Sequence, residues 1–462
     1  MFHSKSNLAL DEVMDYLENN KSKFVARLQE FCRQPSISTT NQGVTECALL
    51  LKKMMTEVGI EARPIEIPNG LPYVYGEISS GKAGAKTVLF YNHYDVQPPD
   101  PLQEWKFPPF GAEVHDGVVY ARGVADNKGN IIARLNAIEA FIATVGDVPV
   151  NLKFMFEGDE EISSPNISSF TTQNKELLKS DVAIWSGRPV DAEGRPIVSL
   201  GNKGLLYVEL RAKGAATDVH SMEAPILVNP AWRLVWALAT LKGPEEKVLI
   251  DGFYDNLKPF TKEELELIEK TPFDEDERKK DREIESFLLG ASGSSLKTNL
   301  LTKPTCNICG FVGGYIGRGA KTIVPSESTV KLDFRLLPNQ DPDEVLQKLK
   351  THLARHGFQD IQVEVLGKMP PSRTPLANKY VDTVVKSMEK LLGKPAVIWP
   401  NCPGSSPRYA IERLGIPVID TGGCHSYVFS RIHSPNENIT VDGYMRGMKA
   451  TATLINSFGD LR

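Results

Sequence analysis

Thr87-Val88-Leu89-Phe90-Tyr91 is a short β-branched and aromatic run, and Val150-Asn151-Leu152-Lys153-Phe154-Met155-Phe156 alternates in the manner of a strand. Between them Ile131, Leu135, Ile138, Ile142 and Val145 recur at steps of 4, 3, 4 and 3, which places them on one helical face. Strand, loop, helix, strand is the order of an α/β layer, and loops at the carboxyl ends of such strands gather on one rim. Two helices precede this unit: Leu10 to Cys32, ending ahead of Pro35, and Val44 to Val58. With 462 residues the chain has room for more than one such layer, since about 150 residues make a domain.

After Leu205 the texture changes. Leu205 to Ala212 reads as a strand, Asn229-Pro230 introduces a helix through Leu241, Thr329 to Leu337 alternates, Asp343 to His356 is amphipathic, and Phe358 to Val365 is strand-like. These elements predict a compact α+β insertion that ends at the turn Met369-Pro370-Pro371-Ser372. Boundaries therefore fall at 1–205, 206–370 and 371–462. The mixed-sign stretch Phe273 to Arg282 reads as a solvated helix.

Composition removes several classes. Lys plus Arg number 53 against 58 Asp plus Glu, a balance of −5 that offers no attraction to nucleic acid or to an anionic membrane surface. With 41% hydrophobic and 24% charged residues the chain is neither disordered nor membrane-embedded, and no apolar run is long enough to span a bilayer. Six scattered cysteines, and a start from Met1 to Leu10 without a signal-like apolar core, predict a cytoplasmic protein with unpaired thiols. Cys306-Asn307-Ile308-Cys309 lacks a second pair and reads as two such thiols; Gly313 to Gly319 lacks the strand-to-helix setting of a phosphate loop and reads as a flexible connection.

Chemistry concentrates after the strands. His93-Tyr94-Asp95 follows the first, Asp126-Asn127-Lys128-Gly129 opens the helix, Glu160-Glu161 follows the second by a tight Glu157-Gly158-Asp159 turn, and His433 adds a late imidazole. Nitrogen and carboxylate ligands without thiolate suit a hydrolytic zinc site, which must remain Lewis acidic. An isolated Asp in a rigid loop, such as Asp126, can bridge two ions, and an adjacent Glu-Glu pair can divide labour between holding metal and taking a proton. Singly, a His-x-Asp reads as a loop hydrogen-bond pair and a Glu-Glu step as solvated surface. Their order changes the reading.

Taken together, Tyr91-Asn92-His93-Tyr94-Asp95-Val96-Gln97-Pro98, Arg122-Gly123-Val124-Ala125-Asp126-Asn127-Lys128-Gly129, Phe156-Glu157-Gly158-Asp159-Glu160-Glu161 and Arg431-Ile432-His433-Ser434-Pro435-Asn436-Glu437 resemble the aminoacylase and carnosinase family of co-catalytic zinc peptidases, in its longer branch of cytosolic dipeptidases and carnosinases. The resemblance implies an α/β, mixed-sheet catalytic domain in two parts, with 206–370 as an inserted α+β lid and dimerisation domain. It also implies two Zn²⁺ per subunit, replaceable by Mn²⁺ or Co²⁺. His93 would bind one zinc, Asp126 would bridge, and Glu161 with His433 would complete the second site. Glu160 would be the general base, and Asp95 would orient His93. In the lid, His220 of Asp218-Val219-His220-Ser221 would reach a partner subunit's site and stabilise the oxyanion, and Arg335 would clamp the substrate carboxylate, with Thr322 and Ser405 as lesser contacts.

One departure stands out. The family takes the third ligand of the His93 zinc from an Asp or Glu at the end of the strand Asp181 to Trp185, and here that position falls on Ser186 or Gly187. The first site is therefore expected to be weakened; Asp191 lies nearby in sequence but at a spacing too long to assign it as the replacement, and His425 reads equally as a pocket residue or a loop residue. The resemblance implies hydrolysis of dipeptides or short peptides with a free C-terminal carboxylate; N-acyl-amino-acid hydrolysis on the same fold, and a catalytically impaired binding or structural dimer, are the alternatives.

Overall fold

In the computed structural model, which describes residues 5–426 and 429–461, six strands make a mixed sheet. They are β1 (Glu61–Ile65), β2 (Tyr73–Ile78), β3 (Thr87–His93), β4 (Asn151–Glu157), β5 (Val182–Ile184) and the short strand Val418–Ile419, in the order β1-β2-β4-β3-β5-(Val418–Ile419). β3 runs parallel to β4 in a register that ends on His93 opposite Glu157, so the loops leaving both strands start side by side. β5 is parallel to β3 on its other edge, which brings Ser186 to the same rim.

The helix Gly129–Thr144 is buried almost all round: Ile132, Ala133, Ala137 and Phe141 are covered as fully as Ile131, Leu135 and Ile138 of the anticipated stripe, whereas Ile142 is half-buried and Val145, just past the helix end, is exposed. Its buried Arg134 donates to the carbonyls of Tyr91 (3.0 Å) and Trp185 (2.6 Å), satisfying the ends of two strands at once. The span Leu10 to Cys32 is two helices, Lys5–Asn19 and Lys21–Arg33. They part at Asn20, whose side chain donates to the Tyr16 carbonyl (2.9 Å), the local competition that makes Asn a poor helix-interior residue.

β1 and β2 were not anticipated from the sequence. β1 is an edge strand that tolerates Pro64 because one side of it needs no ladder partner. β2 carries Gly76, where a Cβ would stand 2.3 Å from Met55 Cε, so close packing against the helix Val44–Glu57 has removed a side chain from the alternation.

A second compact unit comprises Gly201–Arg373 and Pro400–Tyr409; the first takes the chain through Leu200, then Thr374–Trp399 and the chain from Ala410 onward. The second unit is built on an antiparallel sheet of β6 (Gly204–Lys213), β7 (Thr305–Gly313), β8 (Glu327–Leu336) and β9 (Gln362–Met369), in the order β7-β8-β6-β9. Every second residue of β6 and β8 faces inward, and Leu206, Val208, Leu210, Val330, Leu332 and Phe334 pack under the helices Pro230–Leu241 and Pro342–Arg355. Asn229 caps the first of these by accepting from the amides of Ala231 and Trp232, with Pro230 just inside. The mixed-sign stretch Phe273 to Arg282 holds the short helix Glu275–Asp281, with no buried residue, and a further helix, Lys262–Lys270, precedes it. All six cysteines are free thiols. Among the described residues, no helix is long and apolar enough to cross a membrane.

Candidate metal centre

The rim of the first sheet collects the four motifs. His93, at the end of β3, is buried and turned by Asp95: its Nδ1 lies 3.2 Å from the Asp95 carbonyl and 3.4 Å from Oδ1. That leaves Nε2 facing Asp126 Oδ1 at 3.0 Å. The other oxygen of Asp126 lies 3.3 Å from His433 Nε2, and Glu161 Oε2 lies 3.2 Å from the same nitrogen. One carboxylate is thus divided between two imidazoles. Asp95 does a second job, accepting the amides of Glu160 (3.3 Å) and Glu161 (2.9 Å), so the acid that orients His93 also holds the Glu-Glu turn.

Electrostatics follows from this crowding. Burial opposes ionisation of Asp126, yet the hydrogen bonds from His433 and His93 hold it well below the usual carboxylate range. Burial likewise opposes charge on His93, but Glu160, Asp126 and Asp95 outweigh it and raise the imidazole well above its ordinary value. His433 is pushed up to about 10 by Asp126 and Glu161. Loss of solvent, reinforced by Glu161, Asp126 and Asp95 against the pull of His93, pushes Glu160 up to about 7. Without metal, then, protons on two imidazoles neutralise a knot of carboxylates.

A divalent cation fits that knot. The ligand atoms of Asp126, Glu161 and His433 all lie within 4.8 Å of one another. Among the described residues, buried Glu161 Oε1 has no hydrogen-bond partner, which costs about 1–3 kcal/mol unless a cation or donor meets it. The donor set, nitrogen and carboxylate oxygen without sulfur, matches a Lewis-acidic hydrolytic ion. The loop that presents His433 holds three non-glycine residues in the left-handed region, Arg431 (φ 50°), His433 (φ 60°) and Asn436 (φ 65°), strain of the kind that collects at functional sites.

At both candidate positions for the expected carboxylate the backbone is tied down. The Ser186 carbonyl accepts from Asn92 Nδ2 (2.9 Å), and the Gly187 amide donates to Asp420 Oδ1 (2.8 Å). Asp191 does not reach back: it closes its own turn, accepting from the amides of Glu193 and Arg195 and pairing with Arg195 Nε at 2.7 Å. His425 is pushed down to about 4 by burial and is neutral, with no partner for Nδ1 among the described residues.

In the second unit the residues expected to meet substrate form two pairs. Arg335 Nη1 donates to Ser405 Oγ (3.0 Å), while its Nε lies 3.3 Å from Asp333 Oδ2. His220, on the short strand Val219–His220, and Thr322, just ahead of its partner strand Ile323–Val324, are both exposed and joined by Ser221 N–H to the Thr322 carbonyl (3.1 Å). His220 Nδ1 accepts the Met222 amide (3.1 Å), which leaves Nε2–H as the outward donor of the neutral ring. Cys306 is buried and Cys309 donates to Asp333 Oδ1 (3.1 Å), as unpaired thiols.

Gln97 was given no role by sequence reasoning. Its Nε2 donates to Glu161 Oε2 (3.0 Å) and to the Glu161 carbonyl (3.1 Å). The available signal was a polar side chain two residues after Asp95, inside a motif already singled out.

The sequence profile of peptidase family M20/M25/M40 matches residues 89–457. An M20 family metallo-carboxypeptidase from Sulfolobus solfataricus, known by crystal structure, is 40% identical with a TM-score of 0.87, over 95% of this chain and 99% of that one. The β-Ala-His dipeptidase of Rattus norvegicus is 27% identical over 96% of this chain and 94% of its own. A Cys-Gly metallodipeptidase of Candida albicans is 30% identical over 72% of each chain.

Proposed function

Because the chain belongs to peptidase family M20/M25/M40, we propose that it is a metal-dependent hydrolase of dipeptides or short peptides that end in a free carboxylate. The observation that carries this reading is the Asp126 carboxylate divided between His93 and His433, with Glu161 on the second imidazole. His93 and Asp126 on one side, and Asp126, Glu161 and His433 on the other, would hold divalent cations, zinc by the chemistry of the donors. Such ions, when bound, supply Lewis acidity toward the scissile carbonyl and make a water acidic enough to react near neutral pH.

The remaining steps belong to the protein. Glu160 takes one proton from the attacking water and passes it to the nitrogen of the departing amine as the C–N bond breaks, and a carboxyl whose proton affinity burial raises is suited to both duties. Asp95 fixes the Glu160 backbone and the His93 ring, so base and ligand move together. His220, with Nε2–H outward, suits donation to the oxyanion, and Arg335 beside Ser405 suits a planar carboxylate. The relatives' names support the substrate class: two act on dipeptides and one is a carboxypeptidase.

A panel of dipeptides, their C-terminal amides and acetyl-amino acids, assayed with Zn²⁺, Mn²⁺ or Co²⁺, tests this. Amidation is expected to lower kcat/KM by roughly a hundredfold, the size of a lost charge-assisted bidentate contact of about 1.5–3 kcal/mol. Indifference to amidation would remove the carboxylate clamp, and preference for acetyl-amino acids would move the protein to N-acyl hydrolysis.

The same reading includes a homodimer and a cytoplasmic setting, the latter supported by the six free thiols. The edge strand β7 exposes Ile308 (52%), Phe311 (41%) and Val312 (53%), and the helix Pro230–Leu241 exposes Trp232 and Trp236. An apolar edge of this kind aggregates unless something pairs with it, and a second copy does so in a closed way. Sedimentation is expected to give twice the chain mass, and a fully active monomer would refute the assignment of His220 to a partner's site.

A further inference from the structure

Glu437 stands four residues after His433, is 1% exposed, and accepts four hydrogen bonds from one short loop. Its Oε2 takes Arg122 Nη1 and the Gly123 amide, both at 2.8 Å; its Oε1 takes the amides of Ala125 (2.9 Å) and Asp126 (3.0 Å). The loop makes this possible through Gly123, whose φ of 83° turns neighbouring amides toward one point and where a Cβ would stand 2.2 Å from Val96 Cγ1. Clustered amides of this sort form an anion-binding concavity. Here the anion is a side chain of the chain itself, delivered by the loop that carries His433. The pairing extends further: the Glu437 carbonyl accepts the Ala121 amide (3.1 Å), and Arg122 Nη2 donates to the Pro98 carbonyl (3.2 Å), in the segment that follows His93 and Asp95.

We propose that Arg122 and Glu437 are positioning residues of the metal centre, locking the backbone of Asp126 to the His433 loop so that the Asp126 carboxylate stays between its two imidazoles. The proposal rests on the metal-centre reading above. A buried ion pair is weak evidence for stability, because an apolar replacement of the same shape is often as stable. Its distinctive effect is geometric: neither the Asp126 amide nor the strained turn at His433 can shift without opening the other. Glu437 touches no reacting atom and acts only through Asp126 and His433.

Titration of the metal-free full-length chain with Co²⁺ tests this, since the visible absorption of bound Co²⁺ reports ligand geometry independently of turnover. Glu437→Gln keeps the shape of the side chain but offers the four donors one acceptor oxygen fewer. It is expected to lower Co²⁺ affinity roughly 10–100-fold, the usual cost of losing a group that holds a ligand, and to change the absorption envelope. Asn151→Ala provides the structural comparison. It removes the side-chain ties to the Ser80 amide (3.0 Å) and the Ala85 carbonyl (3.3 Å) at the start of β4, the end opposite Glu157 and the rim, leaves the nest and the His433 loop intact, and is expected to lower Tm without altering the spectrum. Should Glu437→Gln not fold, Arg122→Lys, which keeps the charge and loses the fork, gives the same readout. Unchanged affinity and spectrum in a folded Glu437→Gln or Arg122→Lys protein overturn the proposal alone. A parent chain that binds no Co²⁺ overturns the metal-centre reading and this proposal with it.

Discussion

Glu160→Gln is expected to lower kcat by roughly 10²–10⁴-fold, the range that a positioned general acid–base group supplies, while KM and metal content stay near those of the parent. The side chain keeps its size, and the amides that hold its turn on Asp95 belong to the backbone, so geometry survives where proton transfer does not. The pH profile should change in a matching way. Only ionised Glu160 accepts a proton, so parent activity falls on the acid side of its titration; that titration lies near 7 in the metal-free chain and lower once cations draw on the carboxylate. The variant loses that acid limb.

Stability should move the other way. A carboxyl whose folded value is raised above its unfolded value of about 4.3 destabilises the fold progressively as pH rises from there to about 7, and the full penalty persists above. Metal-free Glu160→Gln protein should therefore melt above the parent at pH 8 and no higher than the parent at pH 4. Equal turnover in the two proteins would remove Glu160 from the mechanism, and a lower Tm at pH 8 would show that the carboxylate is not held against its own preference.

What was legible in the sequence was what depends on local spacing. The parallel pair β3 and β4 and the helix between them announce themselves through period, and their loops carry His93, Asp126 and Glu160-Glu161 because strand ends are where such side chains converge. β1 and β2 stayed hidden for a physical reason: Pro64 and Gly76 suit an edge and a close helix contact, and both interrupt the alternation by which strands are recognised. Glu437 was read only as part of a motif, because nothing in a linear sequence shows that four donors from residues 122–126 will point at it. Asp191 illustrates the converse. It lies near the strand end in sequence yet too far along the chain to be assigned as a ligand, and the turn 191–195 satisfies that carboxylate locally, where a near partner wins over a distant one.

Ser186→Glu is expected to raise the affinity for a second divalent ion by roughly a hundredfold, about 2.8 kcal/mol, and to raise activity most where metal is limiting. The ligand atoms of Asp126, Glu161 and His433 lie within 4.8 Å of one another, whereas in the proposed first site His93 would share only Asp126, and the chain leaving β5 carries serine, not a carboxylate, at residue 186. A serine hydroxyl is a poor zinc ligand beside a carboxylate. Between the two candidate positions the backbone decides. Gly187 has φ 115°, and a Cβ there would stand 3.0 Å from Gly423 Cα and 3.2 Å from the Asn130 side chain, so Gly187→Asp is expected to lower Tm and to bind no more metal than the parent. Ser186 is partly exposed, and its backbone carbonyl is already fixed by Asn92, which pairs in turn with Asn127 next to Asp126; a longer acid at that position starts from an anchored strand end. Metal analysis after dialysis should find one tightly held ion per parent chain and two per Ser186→Glu chain. Two equally tight ions in the parent would mean that another group completes the first site, and an unchanged count in the variant would mean that residue 186 is not where the family's carboxylate belongs.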